Sequence, residues 1–153
     1  MNTGVNFAKN IYLISFVFQD KIERVIDGKL VRSSRPGWWD GRAVSVVVPE
    51  WIGRIRQMGV RSIVCLLTQA ELKKYYRRDG VDLLQRYADA GFVVAQVPVG
   101  DDKIPPMSPR DLQRLAKAVK NLPIPILVHC SAGVDRTGCA VELLKTILPP
   151  PAH

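Results

Sequence analysis

The sequence predicts an α/β fold, a mostly parallel central sheet flanked by helices, and three observations predict it. Short apolar, β-branched runs alternate with stretches of helical periodicity. The last such run, Pro125–Val128, feeds a loop of small residues that passes directly into another helical pattern. The chain has 153 residues, 47% of them hydrophobic and 24% charged, which suits one domain around one core. In open sheets of this kind ligands sit at the carboxyl ends of the parallel strands.

Each element follows from local signals. Ile11–Phe18 is apolar but far shorter than the ~20 residues a bilayer-spanning helix needs. It lacks a small-residue cleavage site and ends at Asp20-Lys21, so a buried strand or helix is expected, and with it a cytoplasmic chain. Arg24–Ile26 and Lys29–Arg32 flank Asp27-Gly28, the signal of a hairpin. Ser33–Val48 reads as loop, carrying Pro36, Gly37 and the pair Trp38-Trp39. Pro49–Ile55 reads as the opening of a helix with proline at its first position, where no N–H is needed. Gly59 ends it, and Val60–Leu67 is a largely buried strand. Glu71–Tyr76 and Val81–Ala90 are predicted helices, the second closed by Gly91, and Phe92–Val99 is the next strand. Ser108–Leu122 is amphipathic, with Leu112, Leu115, Ala116, Val119 and Leu122 on one stripe. A final helix is expected from Arg136 to Leu148, its N-terminus aimed at whatever the preceding loop holds.

That loop carries the chemistry. His129-Cys130-Ser131-Ala132-Gly133-Val134-Asp135-Arg136-Thr137-Gly138 sets a thiol and a guanidinium six positions apart, with small residues between them. Such a loop can curl until successive backbone N–H groups converge on an anion, so Ser131, Ala132, Gly133, Val134 and Asp135 are expected to bind phosphate. Arg136 closes the cradle with a planar fork that grips two phosphate oxygens. Cys130 then lies beneath the phosphorus as a nucleophile, where the converging dipoles favour an anionic sulfur. Cys-x5-Arg alone is weak; the other two cysteines are followed six places on by Glu71 and Lys145. The weight lies in the joint pattern of His before, Ser-Ala-Gly after and Arg-Thr-Gly at the close.

Composition narrows the class. The net charge of +8 suits an anionic partner such as a phosphorylated substrate. The basic residues are scattered and no nucleic-acid motif occurs, so no nucleic acid is expected. Three unevenly spaced cysteines do not make a disulfide framework. Two histidines, His129 and His153, are too few for a His-rich two-metal site, so neither metal nor cofactor is expected.

The decapeptide resembles the signature of the cysteine-dependent protein tyrosine and dual-specificity phosphatases. Gly59–Leu148, with Gln69–Tyr75 after the Cys65 strand and Leu30–Pro36 near the start, is similar to the small atypical, kinase-associated phosphatase-like group. The resemblance implies a dual-specificity-phosphatase-like fold, with the phosphate-binding loop between the last strand and a helix. It implies hydrolysis of phosphotyrosine, and of phosphoserine or phosphothreonine, in proteins through a phosphocysteine. Cys130 is then the nucleophile and Arg136 the clamp. Thr137 steadies the sulfur and eases phosphoenzyme hydrolysis, and His129 is hydrogen-bonded to the cradle. The family's acid loop matches Pro98–Pro106; counting from Pro98 selects Asp101 as general acid, counting back from Pro105-Pro106 selects Asp102, and Asp101 is preferred. Cys65 is expected as a buried strand residue, with a redox partner for Cys130 as the alternative. Trp38 and Trp39 are expected either to wall the pocket or to serve a core or interface.

Two departures qualify the resemblance. The family has two further helices after the signature helix, so residues 1–153 are expected as a single phosphatase domain, cut short at the C-terminus or completed by another copy. Asp135 precedes Arg136 as in some lipid-directed relatives, which keeps a phosphoinositide or inositol phosphate substrate as the alternative. Ser131 and Val134 stand where the tumour-suppressor lipid phosphatase has lysines, which weighs against it. A pseudophosphatase that only binds phosphoproteins would not need Cys130, Arg136 and an acid-loop Asp together.

Overall fold

The computed structural model describes residues 19–148, so the apolar run Ile11–Phe18 lies outside the described residues. The elements are β1 (Ile22–Ile26), β2 (Leu30–Ser33), α1 (Val44–Gln57), β3 (Ser62–Cys65), α2 (Gln69–Tyr75), a 3-10 turn (Arg77–Asp79), α3 (Leu83–Asp89), β4 (Val93–Gln96), α4 (Pro109–Val119), β5 (Ile126–His129) and α5 (Asp135–Ile147). They form one five-stranded sheet of order β1-β2-β5-β3-β4. Only the β1–β2 hairpin is antiparallel; β2–β5, β5–β3 and β3–β4 are parallel. The hairpin turns where predicted, with Gly28 at φ +72 taking the left-handed conformation that a side chain disfavours.

Alternation along the central strand divides the core into two layers. Leu127 joins Val31, Ile63 and Cys65 on the face covered by α1, α2 and α3, around Trp51, Ile55, Tyr76 and Tyr87. Ile126 and Val128 join Leu30, Val64 and Leu66 on the other face, under Leu115 and Val119 of α4 and Ala140, Val141 and Leu144 of α5. The helix starts have local causes. Thr68 and Ser108 form capping boxes with Glu71 and Asp111, and Asp82 accepts the Gln85 amide.

The strands Ser62–Cys65 and Val93–Gln96 and the helix Pro109–Val119 are shorter than expected, and the largest difference is at the first helix. The first helix begins at Val44, not at Pro49, and Pro49 lies inside it. A β-branched run read as loop because valine is a modest helix former. Burial overrides that preference: Val47 and Val48 continue the apolar stripe of Trp51, Ile52 and Ile55 into the sheet. The missing Pro49 N–H costs one hydrogen bond of the first turns, which this packing offsets.

Ile63, fully buried at the centre of β3, should cost about 2–5 kcal/mol on replacement by Ala. Val93 on the outer strand is 45% exposed, and Val93→Ala should stay within about 0.5 kcal/mol. Urea titration of both variants checks the contrast; equal losses would contradict the two-layer core.

Candidate active site

The last residue of β5, His129, is in register with Ser33 of β2 and Cys65 of β3, so the strand is held on both sides up to the point where the loop departs. Pleating sends successive side chains to opposite layers: His129 packs edge-on against Trp51 and Tyr87, whereas Cys130 belongs to the α4–α5 layer. Cys130 is buried, and its Sγ accepts the Gly133 amide at 3.2 Å. That contact requires the loop to curl back over the sulfur. Gly133 makes the curl with φ +78, and a Cβ there would sit 2.6 Å from Ser34 N and 2.7 Å from Ser33 O. Only glycine fits. From outside, Arg32 Nη2 donates to the Gly133 carbonyl at 2.8 Å, while the Arg35 amide and Nε donate to the Ser131 carbonyl and Oγ at 2.8 and 3.2 Å.

Arg136 follows the first residue of α5 and is 2% exposed. Its guanidinium is gripped by Glu71, with Nη1 to Oε1 at 2.7 Å and Nη2 to Oε2 at 2.9 Å, and Nη1 also donates to the Val99 carbonyl at 2.8 Å. Burial pulls the Arg136 pKa down, but the Glu71 carboxylate outweighs it and holds the guanidinium above its ordinary range. Burial likewise pushes Glu71 up, and the bonds from Arg136 and from the Thr68 amide outweigh it and hold the carboxyl below the usual range. This clamp uses one edge of the guanidinium. Arg136 Nε and Thr137 Oγ1 are buried without a hydrogen-bond partner among the described residues. Two orphaned polar groups side by side fit a site built to hold an anion.

The acid loop meets the same point. Asp101 Oδ1 lies 3.4 Å from Arg136 Nε, with its side chain half exposed. Asp102 is exposed as well, with a left-handed backbone at φ +58. Of the two aspartates, Asp101 is the one within ion-pair distance of Arg136. One expected contact is not formed: the Thr137 hydroxyl does not hydrogen-bond the Cys130 sulfur. Ser131 is buried, Ala132 and Gly133 are half-buried, and Val134 and Asp135 expose their side chains, as a loop that binds through its backbone would have them.

His129 is wholly buried, and desolvation pulls its pKa down to about 4, so the ring is neutral at pH 7. Its partners fix the tautomer: Nδ1–H donates to the Cys130 carbonyl at 2.9 Å, and Nε2 accepts the Tyr87 hydroxyl at 3.0 Å. Cys65 is buried in the opposite core layer from Cys130, and burial pushes its thiol up to about 12. A thiol held in its protonated form is a poor nucleophile.

Sequence reasoning missed two anchors. Glu71 was read only as helix start, yet Thr68-x-x-Glu71 directly after a strand was the available signal for a fixed carboxylate. Asp20 gave no signal. It is buried, and its carboxylate accepts Gly37 N at 2.7 Å, Trp39 N at 2.9 Å and Ser34 Oγ at 3.2 Å, organising the Trp38-Trp39 segment. Trp38 and Trp39 are 41% and 48% exposed, so they serve the surface beside the loop and not the core. Among the described residues no group of three His, Cys, Asp or Glu side chains has the arrangement to hold a metal ion, and no helix is long and apolar enough to cross a membrane.

The sheet order and the loop between β5 and α5 are those of a cysteine-dependent phosphatase with the dual-specificity and tyrosine phosphatase fold. The chain belongs to the family described as "Tc-R-P: Polymorphic toxin system, DSP-PTPase phosphatase", whose model matches residues 43–146. Among solved structures, a DUF442 protein of Shewanella putrefaciens CN-32 superposes with TM-score 0.61 at 17% identity, covering 91% of this chain and 77% of that one. The core catalytic domain of the PP-IP phosphatase SIW14 from S. cerevisiae gives TM-score 0.55 at 23% identity over 82% of this chain and 64% of its own. Kinase associated phosphatase (KAP), with serine in place of its catalytic-site cysteine, gives 0.50 at 24% over 77% and 67%. These likenesses establish the fold. Comparison with curated proteins gives no match.

Because the folded pKa of His129 lies near 4, below the ordinary 6.5, the unfolded chain binds the extra proton first as pH falls. The contribution is complete above about 6.5 and should be lost, on the order of a few kcal/mol, as pH falls toward 4. Urea midpoints of wild type and His129→Gln at neutral and acid pH check this. An acid loss no larger in the wild type than in the variant would contradict the neutral, buried ring.

Proposed function

We propose that the chain hydrolyses phosphotyrosine, and phosphoserine or phosphothreonine, in proteins through a phosphocysteine formed on Cys130. The observation that carries this reading is that Arg136 Nε and Thr137 Oγ1 are buried without a hydrogen bond at the end of the loop whose Gly133 amide meets the Cys130 sulfur, with the Asp101 carboxylate 3.4 Å from that Nε. In the proposed reaction the Cys130 thiolate attacks phosphorus and the bond to the leaving oxygen breaks. Asp101 gives that oxygen its proton, so the alcohol or phenol leaves neutral. Water then attacks the phosphocysteine, Asp101 takes a proton from it, and inorganic phosphate leaves as the thiolate re-forms. Arg136 Nε and the loop amides meet the charge that builds on the equatorial oxygens. Thr137 Oγ1, which has no hydrogen-bond partner among the described residues, assists the sulfur as it leaves. His129 acts through the backbone, holding the Cys130 carbonyl so that the loop stays curled. The family's description sets such domains in polymorphic toxin systems, and the activity is read as that of a toxin component.

A second reading keeps these steps with an inositol phosphate or phosphoinositide as substrate. It draws on the +8 charge, on the Asp135-Arg136-Thr137 ending and on the fold shared with SIW14, described as a PP-IP phosphatase.

An aryl phosphate should be hydrolysed in EDTA, vanadate should inhibit, and Cys130→Ser should abolish turnover while retaining substrate binding. Activity lost on chelation and restored by a divalent ion, or substantial turnover by Cys130→Ser, would contradict the mechanism.

The acid assignment separates two neighbours. Asp101→Asn should cost roughly 10²–10⁴-fold with a leaving group of high pKa and much less with one that departs easily. Asp102→Asn should do neither. The reverse pattern in the two variants would transfer the role to Asp102.

A further inference from the structure

Behind the phosphate loop lies a pocket of about 170 Å3 lined by Lys21, Glu23, Arg32, Trp39 and Val134, with Gly133 in the shared wall. Gly133 lines this pocket and also gives its amide to the Cys130 sulfur, so the pocket and the cradle share one stretch of loop. The pocket is built with unequal charge. Lys21 and Arg32 oppose the single carboxylate of Glu23. Glu23 and Arg32 face each other in the β1–β2 register, yet the Arg32 guanidinium turns to the Gly133 carbonyl at 2.8 Å and forms no ion pair with Glu23. That bond uses Nη2, and no hydrogen bond among the described residues takes the other donors of this pocket-lining guanidinium. Lys21 Nζ stands 5.4 Å from the centroid of the Trp39 ring and meets no carboxylate within ion-pair distance among the described residues. The backbone that carries Trp39 is held, because its amide donates to the buried Asp20 carboxylate at 2.9 Å.

We propose that this pocket receives a second anionic group, a phosphate in preference to a carboxylate, carried by the same substrate whose first phosphate occupies the cradle. A phosphate brings more charge than a carboxylate and three acceptor oxygens, which suits an ammonium and a guanidinium converging from two sides. The proposal rests on the phosphatase reading for the role of the cradle. It specifies the substrate class: polyphosphorylated, whether a peptide with two phosphorylated residues or a small polyphosphate.

The test is affinity, measured by calorimetry on Cys130→Ser so that binding is read without turnover. The ligands are a phosphotyrosine peptide, the same peptide with a neighbouring phosphoserine, the same peptide with aspartate at that neighbour, and inositol hexakisphosphate. The second phosphate should tighten binding about threefold to tenfold at low salt, more than aspartate does, and the gain should shrink as salt rises. Adding Lys21→Gln should remove most of that gain and leave affinity for the singly phosphorylated peptide within about twofold, while Glu23→Gln should enlarge it. Dependence on Lys21 with the peptide pair marks a phosphoprotein source, and dependence with inositol hexakisphosphate alone marks a small polyphosphate. A gain that is absent, or equal in the Lys21→Gln background for both ligand types, overturns the pocket. Hydrolysis of an aryl phosphate by the parent and by Lys21→Gln is measured alongside: its absence in the parent sinks the phosphatase reading, and the affinity comparison still decides the pocket.

Discussion

A guanidinium at 2% exposure is costly to bury unless a carboxylate meets it, and the Arg136–Glu71 pair is the interaction on which the rest of this site depends. Removing either partner would leave the other charge buried and uncompensated. The pair also joins segments far apart in the chain: the start of α5, the capped start of α2 and, through the Val99 carbonyl, the loop that carries Asp101. With both Nη atoms engaged, the guanidinium presents Nε in a fixed direction. Asp101 Oδ1 stands 3.4 Å from that nitrogen.

The same economy holds on the other side of the loop. Gly133 lies so close to the end of β2 that the curl over Cys130 and the packing of the sheet edge are one contact. Arg32 and Arg35, leaving β2 in succession, hold the Gly133 and Ser131 carbonyls, and Asp20 fixes the turn that follows. Stability and site geometry therefore rest on shared bonds. A substitution in β2 or in the Trp38-Trp39 segment is expected to reach the cradle without touching the signature itself.

The signature was legible because its chemistry is local: thiol, small residues, guanidinium and hydroxyl occur in chain order, and the strand before and helix after follow from periodicity. Counting from Pro98 points to Asp101, the aspartate that stands 3.4 Å from Arg136 Nε. Glu71 was hidden for a physical reason. Its capping box already accounts for a glutamate at that position, so nothing local calls for a second role with a guanidinium 65 residues away. Asp20 was hidden because its partners are backbone amides, which leave no trace in residue identity. The start of α1 was misplaced because a valine run has weak helical preference, and only the buried stripe shared with Trp51 reveals that it coils.

The central claim is that phosphate passes through a covalent bond to Cys130. Acid quenching during turnover of a phosphorylated substrate, followed by peptide mapping in a mass spectrometer, tests it most directly. The account predicts one phosphoryl group, acid-stable as a thiophosphate ester, on the peptide that contains Cys130, accumulating further when Asp101 is replaced by Asn and water loses its base. Steady turnover with no covalent phosphate under those conditions, or phosphate on any other residue, would contradict it.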